Sequence, residues 1–366
     1  MEKLEELKNL TKEKKFDGFE EKIKEITGID LSSRYGNVHL KNPILIAPGQ
    51  LTRTEKQIFQ IKEANFAGCV LKSVVGEDEN GNCSMISYRN PPTYLKNVYD
   101  DFDVDKKFPI IHWDGKADTR CLSEYLKFAI NAFKYQEKKF AVIASLLCHL
   151  PLPDEEIKKD EWVYTTQKLY ETGGRIFEID FCPRLRKEDE KMEKENILRW
   201  YREIPEIIKS VAPDISVFPK ILNLDYGIDF QIEMVKAAVE GNSDGVVIGN
   251  RIYKKEFDSA HGGKELKERN IQQIKEVKKI FPNLCISGTG GVYTGKDILD
   301  YIEAGADNIQ LLSFLMGKTS INFEMEGTKF EKVFYYLLFD EETGLLPVML
   351  KNQSFKILTG GRKCKK

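Results

Sequence analysis

Two kinds of residue in this 366-residue chain could do chemistry: glycine-rich turns able to hold an anion, and lysines at the ends of apolar runs. The densest stretch is residues 284–317, LCISGTGGVYTGKDILDYIEAGADNIQLLSFLMG. Leu284, Cys285 and Ile286 make a short apolar run, as expected of a strand buried on both faces. Ser287-Gly288-Thr289-Gly290-Gly291 then breaks it, and its glycines bring the main chain within reach of a ligand and permit positive φ. Thr294 is placed to cap a helix over Gly295–Glu303, and Gly305 to end it. A second apolar run, Asn308 to Leu312, leads into Ser313 and Gly317. A lone GTGG would serve equally as a tight turn. The repeated order of strand, loop and helix favours a phosphate site, with free N–H groups at the loops and helix N-termini facing a dianion. Lys72 and Lys220 each end a different apolar run. A lysine so placed needs an anionic partner or loses its charge, and a phosphorylated, electron-accepting cofactor would provide one.

These residues need a scaffold that brings several strand ends together. Eight short apolar runs, mostly separated by helical stretches, predict a (β/α)8 barrel. The runs are Pro43–Gly49, Gly68–Ser73, Phe140–Ser145, Ile176–Phe181, Ser216–Ile221, Gly245–Ile248 and the two above. In such a barrel the active site lies at the C-terminal ends of the strands, and a phosphate site commonly follows strands seven and eight. Residues 1–30 read as a helical extension, 31–320 as the barrel and 321–366 as a C-terminal helix and tail. The segment LSSRYGNVHL reads as a hairpin that could plug one barrel end, Pro109–Trp113 as an extra strand, and 252–263 as a loop.

Composition narrows the function. Net charge is −2, with 41% hydrophobic and 31% charged residues, so nothing favours nucleic acid or an anionic membrane as a partner. No apolar run approaches the roughly 20 residues of a membrane span, and the N-terminal stretch lacks the apolar core of a secretion signal, so a cytoplasmic protein is expected. Seven cysteines, none spaced CxxC, do not form a metal or iron–sulfur pattern.

The strand sequences resemble the dihydroorotate dehydrogenase family and the flavin domain of dihydropyrimidine dehydrogenase, both FMN-binding barrels. LKNPILIAPG is similar to their first strand, AGCVLKS to the second, PKILNLD to the fifth and DGVVIGNR to the sixth. SGTGGVYTGKDILDYIEAGADNIQLLSFL is similar to the last two strands and their phosphate loops. The resemblance implies an FMN-dependent oxidoreductase of pyrimidine metabolism that exchanges a hydride with a C–C bond next to a carbonyl in a dihydropyrimidine-like substrate. It implies Ala47 and Gly49 against the isoalloxazine, Lys72 and Ser73 on the flavin ring or ribityl chain, and Lys220 at the N1–C2=O edge. There a cation stabilises the reduced flavin. Gly262, Gly263, Thr289, Gly290, Gly291 and Ser313 would hold the phosphate, and Asn250 would face cofactor and substrate. A homodimer and an electron-transfer partner protein are also implied.

The fourth strand departs from the family pattern Asn-x-Ser-Cys-Pro-Asn, reading Asp180-Phe181-Cys182-Pro183-Arg184. Anchored on Cys-Pro, Cys182 takes the catalytic-base position and Ile179 replaces the first Asn. Anchored on the strand, Asp180 replaces it. Arg184 is nearest the second Asn either way, so Asp180, Arg184 and Asn250 are the substrate candidates. Two other readings stand beside this one: a barrel lyase or synthase with a Schiff-base lysine at Lys72 or Lys220, and a flavin subunit without an organic substrate of its own.

Overall fold

The structure, a computed structural model, describes residues 2–89, 94–99, 103–114, 117–181, 193–254 and 259–352. Cys182 and Arg184 fall outside these residues. Eight parallel strands close on themselves: Ile44–Ile46, Gly68–Val70, Ala141–Leu147, Ile176–Ile179, Ser216–Ile221, Gly245–Ile248, Cys285–Thr289 and Asn308–Leu311. The eighth pairs with the first and the second with the third, so the barrel has no open edge. Helices follow the strands in sequence, as a right-handed βα succession requires.

Side-chain alternation along the strands explains the packing. Ile44, Ile46, Cys69, Val142, Phe177, Ile179, Val217 and Ile286 join the core between barrel and helices. Their neighbours Leu45, Val70, Ile143, Ile176, Phe218, Val247 and Cys285 fill the barrel interior. The hairpin Ser33–Tyr35 and Val38–Leu40 plugs the N-terminal end, as expected: Tyr35 lies within the interior cluster and its ring meets Phe218 edge-on at 4.5 Å.

Three features differ from the sequence reading. The N-terminal stretch is two helices, Glu2–Lys12 and Phe19–Thr27, because Gly18 and the charged turn before it break the helix. Phe16, between them, packs edge-on against Phe334 of the C-terminal helix Lys329–Phe339. Second, the segment read as a loop holds two strands, Ile252–Lys254 and Ser259–Gly262. With Ile110–Asp114 and Tyr94–Val98 they build a four-stranded antiparallel sheet. Its strands are short and mixed in polarity, and they are defined by pairing over long sequence distance rather than by an apolar run. Third, the chain ends its described part in a further helix, Leu345–Lys351.

Candidate active site at the barrel mouth

Each strand-end lysine is fixed through its own main chain. The Lys72 carbonyl accepts from Tyr125 Oη at 2.8 Å and the Lys220 carbonyl from Tyr201 Oη at 3.0 Å. Both tyrosines come from helices on the outer layer and are fully buried, and burial keeps their hydroxyls neutral. Lys72 and Lys220 are themselves only 5% and 7% exposed, and both open onto one cleft. This cleft lies at the C-terminal ends of the strands, where active sites of this fold sit.

The cleft collects Ala47, Lys72, Asp180, Lys220, Asn250, Gly262, Thr289, Gly290, Gly291 and Ser313, residues far apart in sequence. Gly290 and Gly291 have φ of +94° and +65°, and a Cβ on either would come within 2.9 Å of Leu266 or of the Lys264 carbonyl. The turn is therefore closed to other residues. The following helix is capped as the sequence predicts: Asp297 N donates to Thr294 Oγ1 at 3.1 Å and Thr294 N to Asp297 Oδ2 at 2.8 Å. That capping box uses the helix-end donors. The glycine turn, rather than the helix N-terminus, is left as the candidate for the expected anion site. Tyr301 and Asn270 hold the turn from below, both donating to the Thr289 carbonyl, at 2.8 Å and 2.6 Å.

Three expected residues sit off the cleft wall. Ser73 is buried, 2.8 Å from both Ser145 Oγ and Asp180 Oδ2, so it orients Asp180 from behind. A Cβ on Gly49 would meet Leu312 Cδ2 at 2.2 Å, so that glycine makes room for a side chain of the cleft wall. Gly263 turns toward Ile110 and His261.

Strand parity decides the fourth strand. Ile179 is fully buried in the outer core, and Asp180 faces the cleft. Burial alone would raise the Asp180 carboxyl, but Lys220, then Lys72, the Ser73 hydroxyl and Arg251 hold it below the usual carboxylate range. Asn250 Nδ2 approaches its Oδ1 at 3.4 Å and donates to the Phe181 carbonyl at 3.3 Å. The mouth thus carries a carboxylate among three cations.

Sequence reasoning passed over Arg251 and the apolar wall of Pro48, Ile111, Leu266, Val292, Leu311 and Leu312. Arg251 directly follows Asn250 at a strand end, which was the available signal. Ile111 and Leu266 have none, since the added sheet and the packing of a helix put them there.

The family model for dihydroorotate dehydrogenase matches residues 166–324. The catalytic subunit of dihydroorotate dehydrogenase B (NAD(+)) from Thermoplasma acidophilum is 23% identical over 83% of this chain and 96% of its own length. A putative dihydroorotate dehydrogenase A (fumarate) from Pediococcus pentosaceus is 31% identical over 28% of this chain and 37% of its own. Among solved structures, the dihydroorotate dehydrogenase of Eimeria tenella in complex with ferulenol matches in fold, with a TM-score of 0.61 at 14% identity, covering 84% of this chain and 83% of that one.

Proposed function

We propose that the chain is a dihydroorotate dehydrogenase-like, FMN-dependent oxidoreductase acting on CH–CH bonds, and that its organic substrate is not dihydroorotate but another cyclic amide or enone-type compound. The observation that carries this is Asp180 at the barrel mouth, where the family presents an amide. An ionised carboxylate donates no hydrogen bond and repels a substrate acceptor. A site built to pair a substrate's polar atoms discriminates by roughly 10⁴ or more when those pairs are missing.

The residues present fit FMN. The Gly290–Gly291 turn admits no Cβ, and the N–H groups of these two glycines donate to no other group among the described residues, so they remain for a phosphate. Gly262, Thr289 and Ser313 complete that end of the cleft. Ala47 and Pro48 form one wall, and Lys72, Lys220 and Asn250 face the interior. Bound FMN supplies a two-electron hydride acceptor. The protein's part is to hold it, keep a cation at Lys220 beside the reducible ring, and present a proton-moving group to the substrate. Cys182 is our candidate for that group: a thiolate works as base, and a Lys or Arg nearby would favour it. Arg184 and Arg251 are the candidates for a substrate carboxylate, since a guanidinium pairs with one in two parallel hydrogen bonds. We also read the chain as a cytoplasmic homodimer served by a separate electron-carrying protein. No helix among the described residues is long and apolar enough to cross a membrane.

The test is an absorbance spectrum of the pure protein with mass spectrometry of the released ligand, followed by anaerobic mixing with dihydroorotate and a panel of cyclic amides. Release of FMN with slow or no bleaching by dihydroorotate is expected. Release of FAD, or of no flavin after reconstitution, overturns the reading of the cleft.

A further inference from the structure

One layer below the mouth, inside the barrel, lies a second carboxyl group. Glu178 is 1% exposed and sits on the fourth strand two residues before Asp180, so both project to the interior. Its Oε1 accepts from Tyr35 Oη at 2.6 Å and from Gln310 Nε2 at 2.5 Å. Its Oε2 takes no hydrogen bond among the described residues. Gln310 also reaches Ser287 Oγ at 3.0 Å, and Ser287 donates to Asn308 Oδ1 at 2.6 Å, which ties the carboxyl to the seventh and eighth strands and to the plugging hairpin. Phe218 pairs with Glu178 across the fourth and fifth strands, which places Lys220 two residues further along the same inner face. That separation is roughly 8 Å between Cα atoms for neighbouring strands of ordinary geometry.

We propose that Glu178 is a redox-linked proton acceptor: it takes up a proton when negative charge arrives beside Lys220, and so sets how the bound cofactor's reduction potential depends on pH. The inference rests on reading the cleft as the FMN site with Lys220 at its reducible ring. Two electrons and one proton delivered to bound FMN leave one added negative charge next to Lys220. Until then Lys220 is the cation that favours ionised Glu178. Once part of its field is spent on the new charge, the buried carboxylate binds one proton from water, and the interior returns to its former net charge.

The surrounding groups single out Glu178. Burial raises its carboxyl above the usual range, Lys220 and the two donors oppose this, and the nearby Asp180 charge adds to it. The carboxyl therefore takes up a proton more readily than an exposed one. Asp180 is held ionised by Lys220, Lys72 and Arg251 and does not take that proton. Tyr35, raised well above its ordinary range by burial and by Glu178, stays neutral. Ser145, Ser287 and Gln310 do not titrate. Glu178 touches neither cofactor nor substrate in this scheme, and acts through Lys220.

The experiment is anaerobic spectroelectrochemistry of the FMN-loaded protein across about pH 5 to 9, with Glu178→Gln and Tyr35→Phe alongside. The slope of midpoint potential against pH reports protons taken up per electron pair. Wild type should take up about one more proton than Glu178→Gln over part of the range. Tyr35→Phe keeps the carboxyl but removes a donor to its ionised form, so the break should move to higher pH. A reduced-minus-oxidised infrared spectrum should show a carboxylic acid C=O stretch in wild type, absent in Glu178→Gln. Equal slopes in loaded wild type and Glu178→Gln overturn the inference alone. If the variant does not retain FMN, absence of the infrared band in wild type overturns it equally. If wild type takes up no FMN, the reading of the cleft fails and this inference with it.

Discussion

Replacing Asp180 by Asn should raise activity on dihydroorotate, at a cost in stability. In the wild type the carboxylate accepts from Ser73 at 2.8 Å and is stabilised by Lys220, Lys72 and Arg251. An asparagine side chain can keep a hydrogen bond to Ser73, because that hydroxyl can turn to Ser145, 2.8 Å away. What is lost is the negative charge that offsets buried lysines. Breaking a closed, buried pair costs about 3–5 kcal/mol; here the cleft is open and a third cation shares the field, so about 1–3 kcal/mol is expected for the protein without FMN. For catalysis, the amide removes a repulsion and restores a donor. A hydrogen bond to a charged or strongly polarised group contributes about 1.5–3 kcal/mol, which is roughly 10- to 100-fold in kcat/KM. The assay is stopped-flow bleaching of the flavin band under anaerobic conditions, with thermal melts of apo and loaded forms. Rapid and complete bleaching of wild type at sub-millimolar dihydroorotate would refute the reasoning, because the amides thought missing would then have working replacements. A loaded Asp180→Asn protein no faster than wild type would refute it from the other side.

Lys220→Ala should lower FMN retention and the rate of flavin reduction, whereas Lys72→Ala should change the melting temperature little; flavin content and stopped-flow rates decide, and unchanged values for Lys220→Ala count against its role. Gly290→Ala forces a side chain into φ +94° and to within 2.9 Å of Leu266, so it should cost about 1–3 kcal/mol and narrow the preference for FMN over riboflavin, read by melts and by flavin titration. Tyr201→Phe removes the hydroxyl that donates to the Lys220 carbonyl and accepts from Leu222 N at 2.9 Å, so about 1–3 kcal/mol should be lost in denaturant titration. Asp180 is lowered in the folded state, so its stabilisation is complete above the ordinary carboxylate range and lost as pH falls through the depressed value; stability should fall less steeply below about pH 4 in Asp180→Asn, measured by urea titration across pH.

What local chemistry can specify was legible in the residues alone. The fifth and sixth strands, Ser216–Ile221 and Gly245–Ile248, carry the expected bounds, because an apolar run buried on both faces is a local signal. The Thr294 cap and the Gly305 stop were legible for the same reason: a cap needs only residues within one turn. That Lys72 and Lys220 would meet at one cleft was legible because strand ends of a barrel converge whatever their distance in the chain. The tertiary structure decided whatever depends on parity and on partners. A one-residue shift on a strand exchanges its two faces, and only the closed sheet put Asp180 in the cleft and Ile179 in the outer core. Ser73 and Gly49 sit beside the cleft for a similar reason: Ser145 draws the one aside and Leu312 takes the space before the other. The strands Ile252–Lys254 and Ser259–Gly262 joined a larger sheet only through pairing with Ile110–Asp114. Glu178 stood in an apolar strand, two residues from Asp180, as a signal in plain sequence. Its meaning came from Tyr35 and Gln310, more than a hundred residues away on either side, which meet it only when the barrel closes.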